Sequence, residues 1–352
     1  MSFRSPGLPL RGRGPGRIRG LTGLVLLAGA VAVASTPAAA DAVKLTLYSA
    51  QHQQMVEMLT SGFTKQTGIE VAVHKGEAPE IANQIAQEGS SSPADLYITE
   101  NSPELLLLEE KGLLAKVDPA TLASVPSAYS SPTGAWVGVL ARENVLVYNK
   151  SMIGEGDLPA SLLDLAKPAW KGKVAIAPTD ADFMPLLSAV KVLVGKDGAI
   201  AWLKGLKDNA AVYDDDEGVV AAVDRGSAAT GIINSYYFER YRVETGDDKI
   251  HSAIHHFGGG DAGALVNVSG AAVLKSSHNQ EAAQKFLAYI VSKPAQAALA
   301  ASDVDFEYPL AAGVPANPAL KPFAQLQPPR IDLAHLGDDQ DAAEMLREAG
   351  LL

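Results

Sequence analysis

Hydrophobic and polar positions alternate along Lys44-Leu-Thr-Leu-Tyr-Ser49, which predicts a β-strand. From Gln54 to Thr64 the period changes. Met55, Val56, Leu59 and Phe63 fall at helical spacing, and Gly68 ends the run. The rhythm then repeats, with a second strand over 69–73, a second helix over 80–88 and a third strand, Asp95-Leu-Tyr-Ile-Thr99. Ser102-Pro103 supplies an N-cap followed by proline at the first helical position, and Gly112 closes that helix. Strand alternating with helix predicts an open, largely parallel α/β sheet.

Residues 134–148 break the pattern with a long extended stretch, as expected of a strand crossing between two lobes. A second α/β set follows: a strand at 173–177, a mostly helical segment at 180–207 and a strand at 230–234. Residues 263–274 read as the return crossing. Gln280 to Val291 places Ala283, Phe286, Leu287 and Ile290 at helical spacing, giving a helix that would cover the first sheet. A Pro-rich tail, 314–330, precedes a last short helix. The expected organisation is a first lobe of residues 41–143 plus about 267–317, and a second of 144–266 plus about 318–352. Two extended crossings between lobes form a cleft that closes by hinge bending.

Composition narrows the function. At 352 residues, with 47% hydrophobic and 20% charged residues, the chain is ordinary globular protein larger than one core. Its formal charge of −11 disfavours a nucleic-acid partner. The absence of cysteine excludes disulfides, thiolate metal sites, iron–sulfur clusters and cysteine nucleophiles. Residues 1–40 differ from the rest. Five arginines (Arg4, Arg11, Arg13, Arg17, Arg19) and no acid precede an apolar run, Leu21 to Val33, and then Ala38-Ala39-Ala40. This reads as a secretory signal peptide, too short and too rich in Ala and Gly for a membrane span. Without those five arginines, 24 basic residues face 40 acidic ones, a charge of −16. With no cysteine to carry a lipid, the expected product is a soluble periplasmic monomer.

Ligands of open α/β sheets sit beyond the carboxyl ends of the strands. His52 follows the first strand, Glu100 the third, and Tyr236 and Tyr237 the strand 230–234. One imidazole, one carboxylate and two phenols suit a small, highly charged, hard cation. Ferric ion fits best, because its charge can hold a phenol deprotonated well below a reference pKa of about 10. Taken singly, each residue has a plainer reading. His52 would bond a loop, Glu100 would favour a helix start, and the tyrosines would pack with wetted hydroxyls.

Together, Tyr48-Ser-Ala-Gln-His52, Leu96-Tyr-Ile-Thr-Glu100 and Ile232-Ile-Asn-Ser-Tyr236-Tyr237 resemble the three metal-contacting motifs of bacterial periplasmic ferric-binding proteins. Val145 to Asn149 and Asp261 to Leu274 are also similar to that family, and the resemblance spans nearly all of residues 44–320. It implies a two-lobed periplasmic-binding (Venus-flytrap) fold, close to one transferrin lobe. It also implies a substrate-binding component feeding an ABC-type permease, without catalysis. His52 and Glu100 would be Fe³⁺ ligands from the first lobe, and Tyr236 and Tyr237 phenolate ligands from the second. A synergistic phosphate or carbonate would complete the coordination near Thr179, Asp180, Ala181 and Asn234.

This chain departs from the family's pattern at that anion position, because Pro178-Thr-Asp-Ala-Asp182 carries two carboxylates. Either such acids cap helices and face water, or Asp180 or an acid within 214–217 replaces the anion. Arg142 would contact an anion, pair with Glu143 or Glu100, or lie on the surface. His251 and His255 are four apart, but in an extended segment their rings would not converge on a metal. Two other functions are compatible with parts of the sequence. One is a binding protein for an organic or oxyanion solute, such as a polyamine, thiamine or phosphonate. The other is a secreted metal-dependent hydrolase using His52 and Glu100, for which no supporting motif is present. No Gly-x-Ser-x-Gly or P-loop sequence occurs.

Overall fold

A computed structural model describes residues 43–303, 305–333, 336–337 and 339–352, so the segment read as a signal peptide lies outside the described residues. Strand β1 (Lys44–Ala50) is central to the first half of the sheet, with β2 (Glu70–Lys75) on one side and β3 (Leu96–Thr99) on the other. Both pairings are parallel. Helices α1 (Gln53–Thr67) and α2 (Ala78–Glu88) make the connections, and α3 (Ser102–Glu110) and the single turn α4 (Pro119–Leu122) follow.

The predicted crossing is β4 (Val137–Asn149), buried along all 13 residues. Between Val137 and Glu143 it pairs antiparallel with β9 (Val266–Val273). From Asn144 onward its partners are β7 (Thr230–Asn234) and β8 (Ser252–His255), again antiparallel. In this second half, β5 (Val174–Ile176) lies parallel to β7 and to β6 (Ala210–Val212). Helix α5 (Phe183–Asn209) links β5 to β6, and α6 (Asp216–Asp224) and α7 (Ser235–Thr245) flank β7. The sheet is therefore mixed rather than largely parallel. Parallel pairs form where helices cross over, and antiparallel pairs form where the chain runs out through β4 and back through β9.

Helix α8 (Gln280–Ile290) buries Ala283, Phe286, Leu287 and Ile290, the face its sequence predicts. Phe286 meets Phe63 of α1 edge-on, with ring centroids 5.1 Å apart. Next come α9 (Lys293–Ala300) and β10 (Tyr308–Pro309), which pairs with β4, and α10 (Asp339–Ala349), which packs on α5. Gly231 lets α6 seat directly on β7, since a Cβ there would lie 2.4 Å from Val219 Cγ1. One boundary differs from expectation. Helix α3 starts at Ser102, so Asn101 takes the cap position, and its side chain turns to Arg142 instead of the helix.

Candidate metal centre

Strand register brings the first two candidate ligands together. Ala50 of β1 lies opposite Thr99 of β3, so the chain leaves both strands side by side. His52 then caps α1, and its Nε2 stands 3.3 Å from Glu100 Oε1. From the other half, β7 runs straight into α7 and places Tyr236 and Tyr237 in its first turn. The Tyr236 ring meets His52 edge-on at 5.1 Å and Tyr237 at 4.1 Å, centroid to centroid. His52, Glu100, Tyr237, Asp180 and Arg240 line a cleft of about 430 Å³, with Tyr236 buried behind it. A mostly apolar cavity of about 510 Å³ adjoins it, sharing Glu77, Thr179 and Ala181 but none of the four candidate ligands.

The electrostatics favour neutral groups until a cation enters. Burial lowers the pKa of His52, which leaves an imidazole lone pair free. Burial, reinforced by the negative charge of Asp182, pushes Glu100 up to about 8. Burial and the same carboxylate also raise both tyrosines above their ordinary value. Phenolates can form here only if a highly charged cation displaces the protons.

Arg142 is fully buried, contrary to a surface placement, and it pairs with neither Glu143 nor Glu100. Its Nε and Nη2 donate to Asp182 Oδ1 at 3.1 and 2.9 Å, and Nη2 also reaches Asn101 Oδ1. Asp182 Oδ2 accepts from the Tyr236 hydroxyl at 2.8 Å, and Asn267 Nδ2 donates to Asn101 Oδ1 at 2.6 Å. Burial works against the Asp182 charge, but the Arg142 guanidinium overrides it and holds the carboxyl below its usual range. Burial likewise opposes the charge on Arg142, and Asp182 more than restores it.

The remaining acids serve mainly the backbone. Asp180 accepts from the N–H of Asp182 at 2.9 Å and of Asp216 at 3.1 Å, and burial with the Asp182 charge pushes it up to about 7. Buried Asp216 accepts from the Asn234 N–H at 3.0 Å. Asp215 alone of these is a helix cap, bound to the Gly218 N–H at 2.7 Å. Thr179 is an exposed part of the lining, and the Ala181 carbonyl accepts from Asn101 Nδ2 at 3.3 Å. The acid hydrogen-bonded to a candidate ligand is thus Asp182, for which the sequence reading offered only helix capping and exposure to water. No periodicity links it to Arg142, 40 residues away. Asp305 and Glu307 were missed as well, and both are buried beside His52. Their signal was available: two acids flank Phe306 in a run that continues into Tyr308-Pro-Leu310. The histidine segment is extended, as expected, and His256 Nδ1 lies 2.6 Å from buried Glu143 Oε2.

Residues 91–332 match the bacterial extracellular solute-binding protein family. The Fe(3+)-binding periplasmic protein of Serratia marcescens is 40% identical over 337 residues, covering 96% of this chain and 99% of its own. The chain belongs to the ferric-binding periplasmic proteins of this family. Iron-bound HitA from Pseudomonas aeruginosa aligns with a TM-score of 0.83 at 42% identity, over 88% of this chain and 99% of its own. The Trichodesmium IdiA (FutA) structure with iron and citrate gives 0.76 at 31% identity, over 87% and 99%. The fold of this ferric-binding family member is accordingly the two-lobed periplasmic-binding fold. Its relatives are solute-binding transport proteins rather than enzymes.

Proposed function

We propose that this protein captures Fe³⁺ in the cleft, with His52, Glu100, Tyr236 and Tyr237 as ligands, and delivers it to an ABC-type permease. The observation that carries the reading is the convergence of a neutral imidazole, a carboxyl and two neutral phenols from both halves of the sheet. The lobes divide between Glu143 and Asn144, where β4 changes partners, and at about residue 267 on the return; residues from about 318 belong to the second lobe. Metal that bridges both ligand pairs favours the closed form by its own binding energy, and no substrate bond is made or broken. After removal of residues 1–40, the protein acts as a periplasmic monomer without a lipid anchor.

Asp182 supplies an anion from within the chain, hydrogen-bonded to the Tyr236 hydroxyl. The reading therefore includes ferric binding that does not require added phosphate or carbonate. Both acids have two occupied oxygens, but Asp180 holds backbone N–H groups, whereas Asp182 Oδ2 holds the Tyr236 proton that a ferric ion would displace.

Colour tests the proposal. Phenolate-to-iron charge transfer should give the loaded protein a visible absorption band, which Tyr236→Phe/Tyr237→Phe abolishes. A colourless protein under saturating ferric nitrilotriacetate overturns the ferric reading. Loading that occurs only after phosphate or carbonate is added overturns the role given to Asp182.

A further inference from the structure

Behind His52 stand two acids that ferric capture does not use. Asp305 and Glu307 are 3% and 2% exposed, and none of their four carboxylate oxygens receives a hydrogen bond among the described residues. The Glu307 backbone N–H faces Asp305 without completing one. One oxygen from each acid and one His52 nitrogen all lie within 4.8 Å of one another. The neighbouring cation, Arg142, bonds Asp182 and Asn101 through Nε and Nη2, and although its charge acts on both acids its buried Nη1 hydrogen-bonds neither. Buried carboxylates are ordinarily paired, hydrogen-bonded or bound to metal. Among the described residues these two receive neither a hydrogen bond nor an ion pair, and a His52 nitrogen completes a three-donor cluster with them.

We propose that His52, Asp305 and Glu307 form a second, inner cation position, selective for a divalent ion of the Mn²⁺ or Zn²⁺ type. Donors on one such ion, with bonds of about 2.1 Å, stand roughly 3 Å apart when adjacent and about 4.2 Å apart when opposite. Three donors on one ion include at most one opposite pair, so from separations of up to 4.8 Å an entering ion draws the adjacent donors together by up to about 1.8 Å. Charge sets the valence, because two carboxylates with a neutral imidazole balance a dication and leave a trication uncompensated. The donor types, imidazole and carboxylate oxygen, suit first-row divalent metals. A neutral imidazole offers one lone pair, so occupation of the inner position withdraws His52 from the cleft. The two ions therefore compete.

Manganese EPR tests this, because bound Mn²⁺ loses the six-line signal of the free ion. The apo protein and the Tyr236→Phe/Tyr237→Phe variant should each bind one Mn²⁺. Asp305→Asn/Glu307→Gln should weaken that binding at least tenfold. If this double variant does not fold, His52→Ala, at a less deeply buried position, should show the same loss. Apo protein that leaves millimolar Mn²⁺ free overturns the proposal. So does undiminished binding in a folded Asp305→Asn/Glu307→Gln or His52→Ala variant, which would assign the ion to other acids. The tyrosine variant keeps the two readings apart: failure of ferric capture removes the visible band and leaves these Mn²⁺ outcomes unchanged.

Discussion

Two buried acidic centres flank the candidate ligands and differ in one respect. Asp182 lies against a guanidinium, a phenol and the start of α5, and the guanidinium holds its carboxyl below the usual carboxylate range despite burial. Asp305 and Glu307 are as deeply buried but without hydrogen bonds, and burial raises both. Depth is therefore not what decides whether an interior acid is a finished part of the fold. The partner decides it, and here Arg142 makes its hydrogen bonds to one centre and none to the other.

The largest effect is expected from removing that cation. Arg142→Met leaves Asp182 as an uncompensated buried charge and should cost about 3–5 kcal/mol in denaturant unfolding of the apo protein. A loss below about 1 kcal/mol would mean that the pairing has little structural weight. At the other centre the sign should reverse. Glu307→Leu removes a buried carboxyl that has no hydrogen bond and should stabilise the apo protein by about 1–3 kcal/mol in the same assay. If both variants are destabilised alike, the contrast between the centres fails.

The smallest and most distributed effect is pH dependence. Glu100 at about 8 and Asp180 at about 7 bind their protons more tightly folded than unfolded. Their contribution to stability is full below the unfolded carboxylate range, near pH 4, and is lost as pH rises through 7 and 8. His52, with its lowered pKa, contributes in the opposite sense, with stability present above about pH 6.5 and lost on acidification. The acids outnumber it, so the apo melting temperature should fall between pH 5 and 9. Glu100→Gln should flatten that slope, and an unchanged slope would show that Glu100 does not titrate in this range.

The lobed architecture was legible because its signals are local. Strand and helix periods over 44–112 needed no distant partner, and the run at 134–148 stood out by its lack of a helix. The four convergent side chains were also legible, since strand ends mark where an α/β sheet presents chemistry. The short β6 and β10 and the helices α6, α7 and α9 were not singled out, because they take their identity from tertiary partners. Helix α7 is the clearest case: its polar Ser-Tyr-Tyr-Phe-Glu-Arg-Tyr-Arg start has little amphipathic signal, yet it aims both phenols. The same limit hid the Arg142–Asp182 pair and the Asp305–Glu307 pair. Nothing in a sequence says which interior charges will meet.

Arg142 stands two residues before the point where β4 exchanges β9 for β7 as its neighbour. One guanidinium thus holds Asn101, which follows β3, and Asp182, which precedes α5, from a strand common to both halves. Any motion that parts those two residues has to break charge-assisted bonds in the buried interior. Salt in the surrounding medium can screen the approach of a cation to this acidic protein, but it screens these buried bonds far less.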